Sequence, residues 1–159
     1  MVIIYTKKMK MRRLLKSMII TKPLMIRYIK TIGYIEPSYV IRKFLDAQRM
    51  PQLASYLEAL HQQGLANSEH TTLLINCYTK LKEKEKLHLF IYSDQAGIHF
   101  DIAMAVEVLR KASCYEEALH LSKKHNLFTT YLKIELEDRQ NYHEALDYIK
   151  YFIYIEYDV

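Results

Sequence analysis

Between about Pro37 and Tyr151 the apolar residues recur at helical spacing, without the strict alternation of strands. In TTLLINCYTKL, Leu73, Leu74, Cys77, Tyr78 and Leu81 fall at i, i+1, i+4, i+5 and i+8, a broad stripe along one helical face. Val40, Ile41, Phe44 and Leu45 repeat the pattern in PSYVIRKFLDAQR, Ile102, Val106 and Leu109 in DIAMAVEVLRKA, and Tyr131, Leu132 and Leu136 in TTYLKIELEDR. Each of these four segments precedes a second helical one, anchored at Leu53, Leu87, Ala118 and Ala145. The anchors stand 34, 31 and 27 residues apart, irregular but within the range of a helix pair. Thr71 or Thr72 and Asp101 are good N-caps, Pro37 and Pro51 suit a first helical turn, and Gly64 and Gly97 interrupt the pattern between pairs. The pattern predicts an all-α fold, an α-solenoid of about four antiparallel helix pairs, in which each pair offers an apolar face to the pair before and the pair after.

Two of the second helices are written almost alike. SCYEEALHLSKKH and QNYHEALDYIK both contain Tyr-x-Glu-Ala-Leu, with Tyr115 and Tyr142 lying 27 positions apart. On this register Ala118 and Ala145 are small where helices approach closely, and Glu117 and Glu144 are exposed. Leu74, Leu109 and Leu146 are expected in the core. Tyr39, Tyr56, Tyr78, Tyr115 and Tyr142 fall on the apolar stripes, five of the 14 tyrosines of a chain without tryptophan. The closing YFIYIEYDV has strand propensity and a nearly continuous apolar character, and reads equally as the start of a further helix.

Charge divides the chain. Residues 1–35 carry nine Lys or Arg and no acidic residue, whereas residues 36–159 carry 14 basic and 18 acidic side chains, a balance of −4 beneath the formal +5 of the whole. A nucleic-acid-binding array is expected to carry a basic stripe along its repeats, so the acidic body argues against that class. The sequence therefore divides into a basic N-terminal extension (1–30), helical or poorly ordered; the α-solenoid segment (31–150); and an apolar tail (151–159). The extension has no apolar run approaching the roughly 18–20 residues of a membrane span. It is compatible with a mitochondrial presequence, with a basic amphipathic surface helix, and with a solvated helical extension.

Chemistry is sparse. None of His61, His70, His88, His99, His120, His125 and His143 pairs with another at the i, i+4 spacing of a helical zinc site, and no phosphate-binding glycine loop, CxxC or nucleophile elbow occurs. The histidines read as solvated surface or edge residues. Cys77 and Cys114 read as buried free thiols in apolar helical positions. KLKEKEKL reads as a solvated connection between helices. Glu116, Glu117 and Glu144 lie on faces with no pocket to shift their pKa, so acid–base catalysis is not expected. No catalytic, cofactor-binding or metal site is predicted.

Four blocks, TIGYIEPSYVIRKFLDAQR, LANSEHTTLLINCYTKL, HFDIAMAVEVLRKASCYEEALHLSKKH and YLKIELEDRQNYHEALDYI, closely resemble the vacuolar protein sorting-associated protein 11 family, from about Tyr28 to Lys150. The resemblance implies a piece of a clathrin-heavy-chain-repeat solenoid in a non-enzymatic scaffold of the HOPS and CORVET tethering complexes, which act in vesicle docking and fusion. It implies partners among the other HOPS/CORVET subunits, no nucleic acid, no small-molecule substrate and no cofactor. It also implies a cytoplasmic location, peripheral on late endosome and vacuole or lysosome membranes. Full-length members of the family also carry a β-propeller and a RING zinc finger, for which two distant cysteines do not suffice. Residues 1–27 and 151–159 depart from the family pattern, as expected of a fragment or a misjoined gene product. A solenoid piece with open apolar end faces is expected to self-associate when isolated. The competing reading is a generic tetratricopeptide-like adaptor, whose signature Trp, Gly and Pro positions are missing.

Overall fold

The computed structural model describes residues 23–93 and 101–157, and among them every regular element is helical. The chain is of the all-α solenoid class. In order, the helices are α1 Pro23–Ile29, α2 Pro37–Asp46, α3 Met50–Gln62, α4 Ser68–Leu81, α5 Lys84–Tyr92, α6 Ile102–Lys111, α7 Tyr115–Lys124, α8 Phe128–Lys133, a π-helical turn Ile134–Asp138 continuing α8, and α9 Tyr142–Tyr157. The chain divides into two compact units between Cys77 and Tyr78, within α4. Residues 1–22 of the basic extension, together with Gly97 and His99, lie outside the described residues.

The short links share one device. After α2, α3, α4, α6 and α7 a single residue adopts left-handed φ: Gln48 (53°), Gly64 (67°), Lys82 (57°), Ser113 (58°) and Asn126 (56°). The next amide then donates back into the final turn: Arg49 to Phe44 O, Leu65 to Leu60 O, Glu83 to Tyr78 O, Cys114 to Leu109 O and Leu127 to Ser122 O, at 2.8–3.1 Å. This is the Schellman closure, which satisfies carbonyls that the helix end leaves open. At four of the five links the donor is also the N-cap of the following helix, so one helix ends and the next begins within a few residues.

Helix starts follow the sequence in part. Pro37 opens α2, Pro51 lies in the first turn of α3, and Asp101 Oδ1 accepts from the Met104 amide at 3.0 Å. For α4 the predicted cap is corrected: the helix begins at Ser68, and Asn67 caps it. Asn67 Oδ1 accepts from the His70 amide at 2.9 Å while the Asn67 amide donates to His70 Nδ1 at 3.2 Å, a reciprocal arrangement like a capping box. Thr71 is instead buried inside α4, its hydroxyl 3.1 Å from Asn67 O and 3.3 Å from His61 Nε2.

In the first unit, α3 packs against α1 and α2, burying Leu53, Tyr56, Leu57 and Leu60. Each of the three leucines contributes roughly 1.5–3 kcal/mol through burial of apolar surface, whereas the Tyr56 ring is buried with its hydroxyl lacking a hydrogen-bond partner. Tyr28 of α1 reaches Phe44 at 4.7 Å between ring centroids, and Phe44 reaches Tyr56 at 6.0 Å. Desolvation pushes the buried Tyr56 phenol up to about 12. Leu74 is buried as expected, but Leu45, placed on the α2 stripe by its spacing, is exposed.

In the second unit, α7 packs against α5, α6, α8 and the π turn, and α9 packs against the π turn. Leu109, Ala118 and Ala145 are buried as the register requires. The stripe predicted for α8 is corrected at its end, where the helix continues into the π turn. Its wider turn holds an extra residue, with the Arg139 amide donating to Ile134 O at 3.0 Å and the Asn141 amide to Glu135 O at 2.8 Å. Tyr131, Ile134 and Glu135 are buried, the i, i+3 and i+4 positions of one helix face, while Leu136 is exposed. Of the two readings of the tail, the helical one is observed, since α9 runs on through Tyr157.

Candidate interaction surface

At 100° per residue, the Tyr-x-Glu-Ala-Leu motif distributes its side chains over three sides of a helix. On α7, Glu117 and His120 face α5. The Tyr92 ring lies between His88 and His120, stacked at 4.1 and 4.0 Å between centroids, and His88 Nδ1 lies 3.6 Å from Glu117 Oε1. Glu117 is thereby largely buried, which corrects its expected exposure. Ala118 and Leu121 occupy a second side. Leu119 and Ser122, both buried, lie on the third.

The same three sides recur on α9, with different occupants. Tyr148 packs against Phe128 and Tyr131 of α8, at 5.5 and 3.9 Å between ring centroids, and Phe152 lies 4.2 Å from Phe128. Tyr151 faces α7, with the Lys123 ammonium 6.0 Å from its ring centroid. On the third side, Leu146 is 55% exposed where its counterpart Leu119 is 7% exposed. The expectation that Leu146 belongs to the core is thus corrected, and Tyr142, 62% exposed, does not pack on the stripe assigned to it. Tyr142, Leu146, half-buried Ile149 and Ile153 follow at i, i+4, i+7 and i+11, a stripe about 16 Å long at the helical rise per residue. Beside it are His143, Glu144, Asp147 and Lys150, with Asp147 Oδ2 3.2 Å from His143 Nδ1 and Asp147 Oδ1 3.2 Å from Lys150 Nζ.

Two charged clusters hold the π turn. Arg110 of α6 donates from Nε to Asp138 Oδ2 at 2.7 Å and contacts Glu107 at 3.2 Å and Glu137 at 3.8 Å. The hydrogen bond to Asp138 raises the guanidinium pKa further. Glu135 is 1% exposed; Arg139 donates to its Oε1 at 3.0 Å, and its Oε2 is buried without a hydrogen-bond partner. Burial raises the Glu135 pKa against the opposing pull of Arg139. Arg110 and Asp138 are 28 residues apart and form no visible motif, whereas Glu135 and Arg139 stand at the i, i+4 spacing of a helical ion pair.

His61 and His70 are half-buried, and desolvation lowers both pKa values, so they are not simply solvated as expected. His125 and His143 are exposed. Cys77 is buried, whereas Cys114 is corrected from a helical interior position to the N-cap of α7, half-buried, its thiol pKa raised by burial. Among the described residues no three His, Cys, Asp or Glu side chains are grouped to hold a metal ion, and no helix is long and apolar enough to cross a membrane.

The family model described as "PEP5/VPS11 Clathrin repeat" matches residues 21–158. The match runs beyond both ends of the stretch from Tyr28 to Lys150, correcting the expectation that residues 151–159 wholly depart from the family pattern. The chain is 57% identical over 124 residues to the vacuolar protein sorting-associated protein 11 homolog of Homo sapiens, covering 77% of this chain and 13% of that protein. It is 54% identical over 127 residues to the homolog of Arabidopsis thaliana, covering 79% and 14%. With the homolog of Dictyostelium discoideum the identity is 53% over 124 residues, covering 78% and 13%. The chain thus spans only a small part of the length of these relatives. No solved structure matches it.

Proposed function

The chain belongs to the PEP5/VPS11 clathrin repeat family, and from that premise we propose that it acts as a non-enzymatic scaffold segment of an endosome and vacuole or lysosome tethering complex. In this reading it serves vesicle docking and fusion and vacuolar protein transport by presenting helix faces to the other HOPS/CORVET subunits. Its place is cytoplasmic, peripheral on late endosome and vacuole or lysosome membranes through the complex. The observation that carries the reading is the family match along residues 21–158, which includes every described helix.

Physical features support it. Side-chain chemistry in the described residues is spent on packing and ion pairing, as in Arg110 with Asp138 and Glu135 with Arg139. A tagged chain expressed in cells is expected to recover HOPS/CORVET subunits and to cofractionate with late endosomal or vacuolar membranes. Recovery of none of them, with the chain stably folded, would overturn the proposal.

A further inference from the structure

We propose that the joint between α3 and α4 is a proton-sensitive hinge, closed while the His70 ring is neutral and loosened when that ring takes up a second proton. The inference is independent of which complex the chain serves. The closed state is fixed by a donor that cannot change roles. The Asn67 amide donates to His70 Nδ1 at 3.2 Å, and the His70 amide donates to Asn67 Oδ1 at 2.9 Å. A backbone N–H offers only a proton, so Nδ1 must present its lone pair and the ring proton must sit on Nε2. In the usual form of this reciprocal cap a glutamate or glutamine stands three residues after the cap residue, and either keeps an acceptor through the neutral range. Imidazole does not, because it titrates there.

A second proton on the ring sets N–H against N–H at Nδ1, which breaks the bond, and puts a cation in the first turn of α4, where the helix dipole opposes it. The surroundings act in the same direction. Burial holds the His70 ring below the ordinary histidine value, with Glu69, its neighbour on α4, pulling the other way. Across the joint, α3 presents His61, which burial lowers most and a charge on His70 lowers further, so the first proton goes to His70. His61 Nε2 is 3.3 Å from the hydroxyl of buried Thr71, which also lies 3.1 Å from Asn67 O. Asn67 is thus tied to His70 and, through Thr71, to α3, at the end of a link that turns at Gly64 with φ 67°. Because the value in the closed joint is the lower one, opening is accompanied by proton uptake. The cap's contribution is complete above the ordinary histidine value of 6.5 and is lost as pH falls through the lowered value.

Nitrogen NMR of the histidine rings in the full chain, taken about one pH unit above the ordinary histidine value, is expected to show His70 as the Nε2–H tautomer. On acidification to about pH 5.5, protection of the His70 and Thr71 amides against deuterium exchange, normalised to the intrinsic rate at each pH, should fall by about fivefold, the worth of one helix cap. His70→Gln supplies an acceptor that does not titrate and should remove most of that fall. His125→Gln, at an exposed position after α7, should leave it unchanged. Circular dichroism melts at neutral pH check that both variants fold. The Nδ1–H tautomer of His70 in the parent chain, or protection that holds there across the whole range, would overturn the proposal without recourse to any variant. An undiminished loss of protection in His70→Gln would do so too, by assigning the titration to His61 or another group.

Discussion

Leu119 and Leu146 hold the same place in two copies of one motif, yet only Leu119 is covered. Leu119→Ala is expected to cost about 2–4 kcal/mol and Leu146→Ala no more than about 0.5 kcal/mol, measured as paired urea melts; equal losses would show that the α9 stripe is buried. The apolarity of both leucines was legible in the chain, but cover was not, because cover depends on a neighbouring element. Glu135 was illegible for a different reason. Helical spacing puts Glu135 on the face of Tyr131 and Ile134, but a carboxylate is not expected inside, and the cover over it comes from α7 and α9. Its pKa is raised in the fold, so the folded chain holds a proton that the unfolded chain has already released. Stability from this group is therefore fully present below the unfolded carboxylate value of 4.5 and falls as pH rises through the raised folded value. Glu135→Gln is expected to flatten that part of the stability–pH profile. An unchanged slope in urea melts from about pH 4 to 7 would assign the titration to another group.

Among the elements, existence and order were the most legible, since periodicity and prolines mark them directly. The four predicted pairs correspond to α2 with α3, α4 with α5, α6 with α7, and α8 with α9. Ends were harder to place. Asn67 caps α4 one turn before the threonines that composition favours, because His70 returns a hydrogen bond to the Asn67 amide. The left-handed closures were visible only at Gly64; Gln48, Lys82, Ser113 and Asn126 adopt that conformation without glycine's freedom. Left-handed backbone costs an ordinary residue roughly 1–2 kcal/mol, offset in a glycine variant by about 0.4–1 kcal/mol of extra unfolded-state entropy. Ser113→Gly is therefore expected to stabilise the chain by about 0.5–1 kcal/mol, and Ser113→Val to destabilise it by about 1–2 kcal/mol. Thermal melts of the two variants test this; a loss in the glycine variant would mean that the Ser113 side chain contributes more than its backbone strain costs.

At the scale of the molecule, fold class and family were both legible, because long blocks of sequence carry the repeat and its register. The exposure of the Leu146 side of α9 was not, since a repeat shows which face is apolar and not what covers it. The packing of the second unit sets how fast it folds. Every packed pair from α5 to α9 joins elements no more than two apart in the chain, so little loop entropy must be lost before contacts form. Contacts this local place folding of that unit in the microsecond-to-millisecond range. They also leave its ends to open separately from its middle. Pulsed deuterium exchange is expected to label the last turns of α9 first and α7, held by four neighbouring segments, last. Simultaneous labelling of the two would mean that the unit opens as one cooperative block, and a chain opening from its ends would spend part of its life with the Leu119 side of α7 as bare as the Leu146 side of α9.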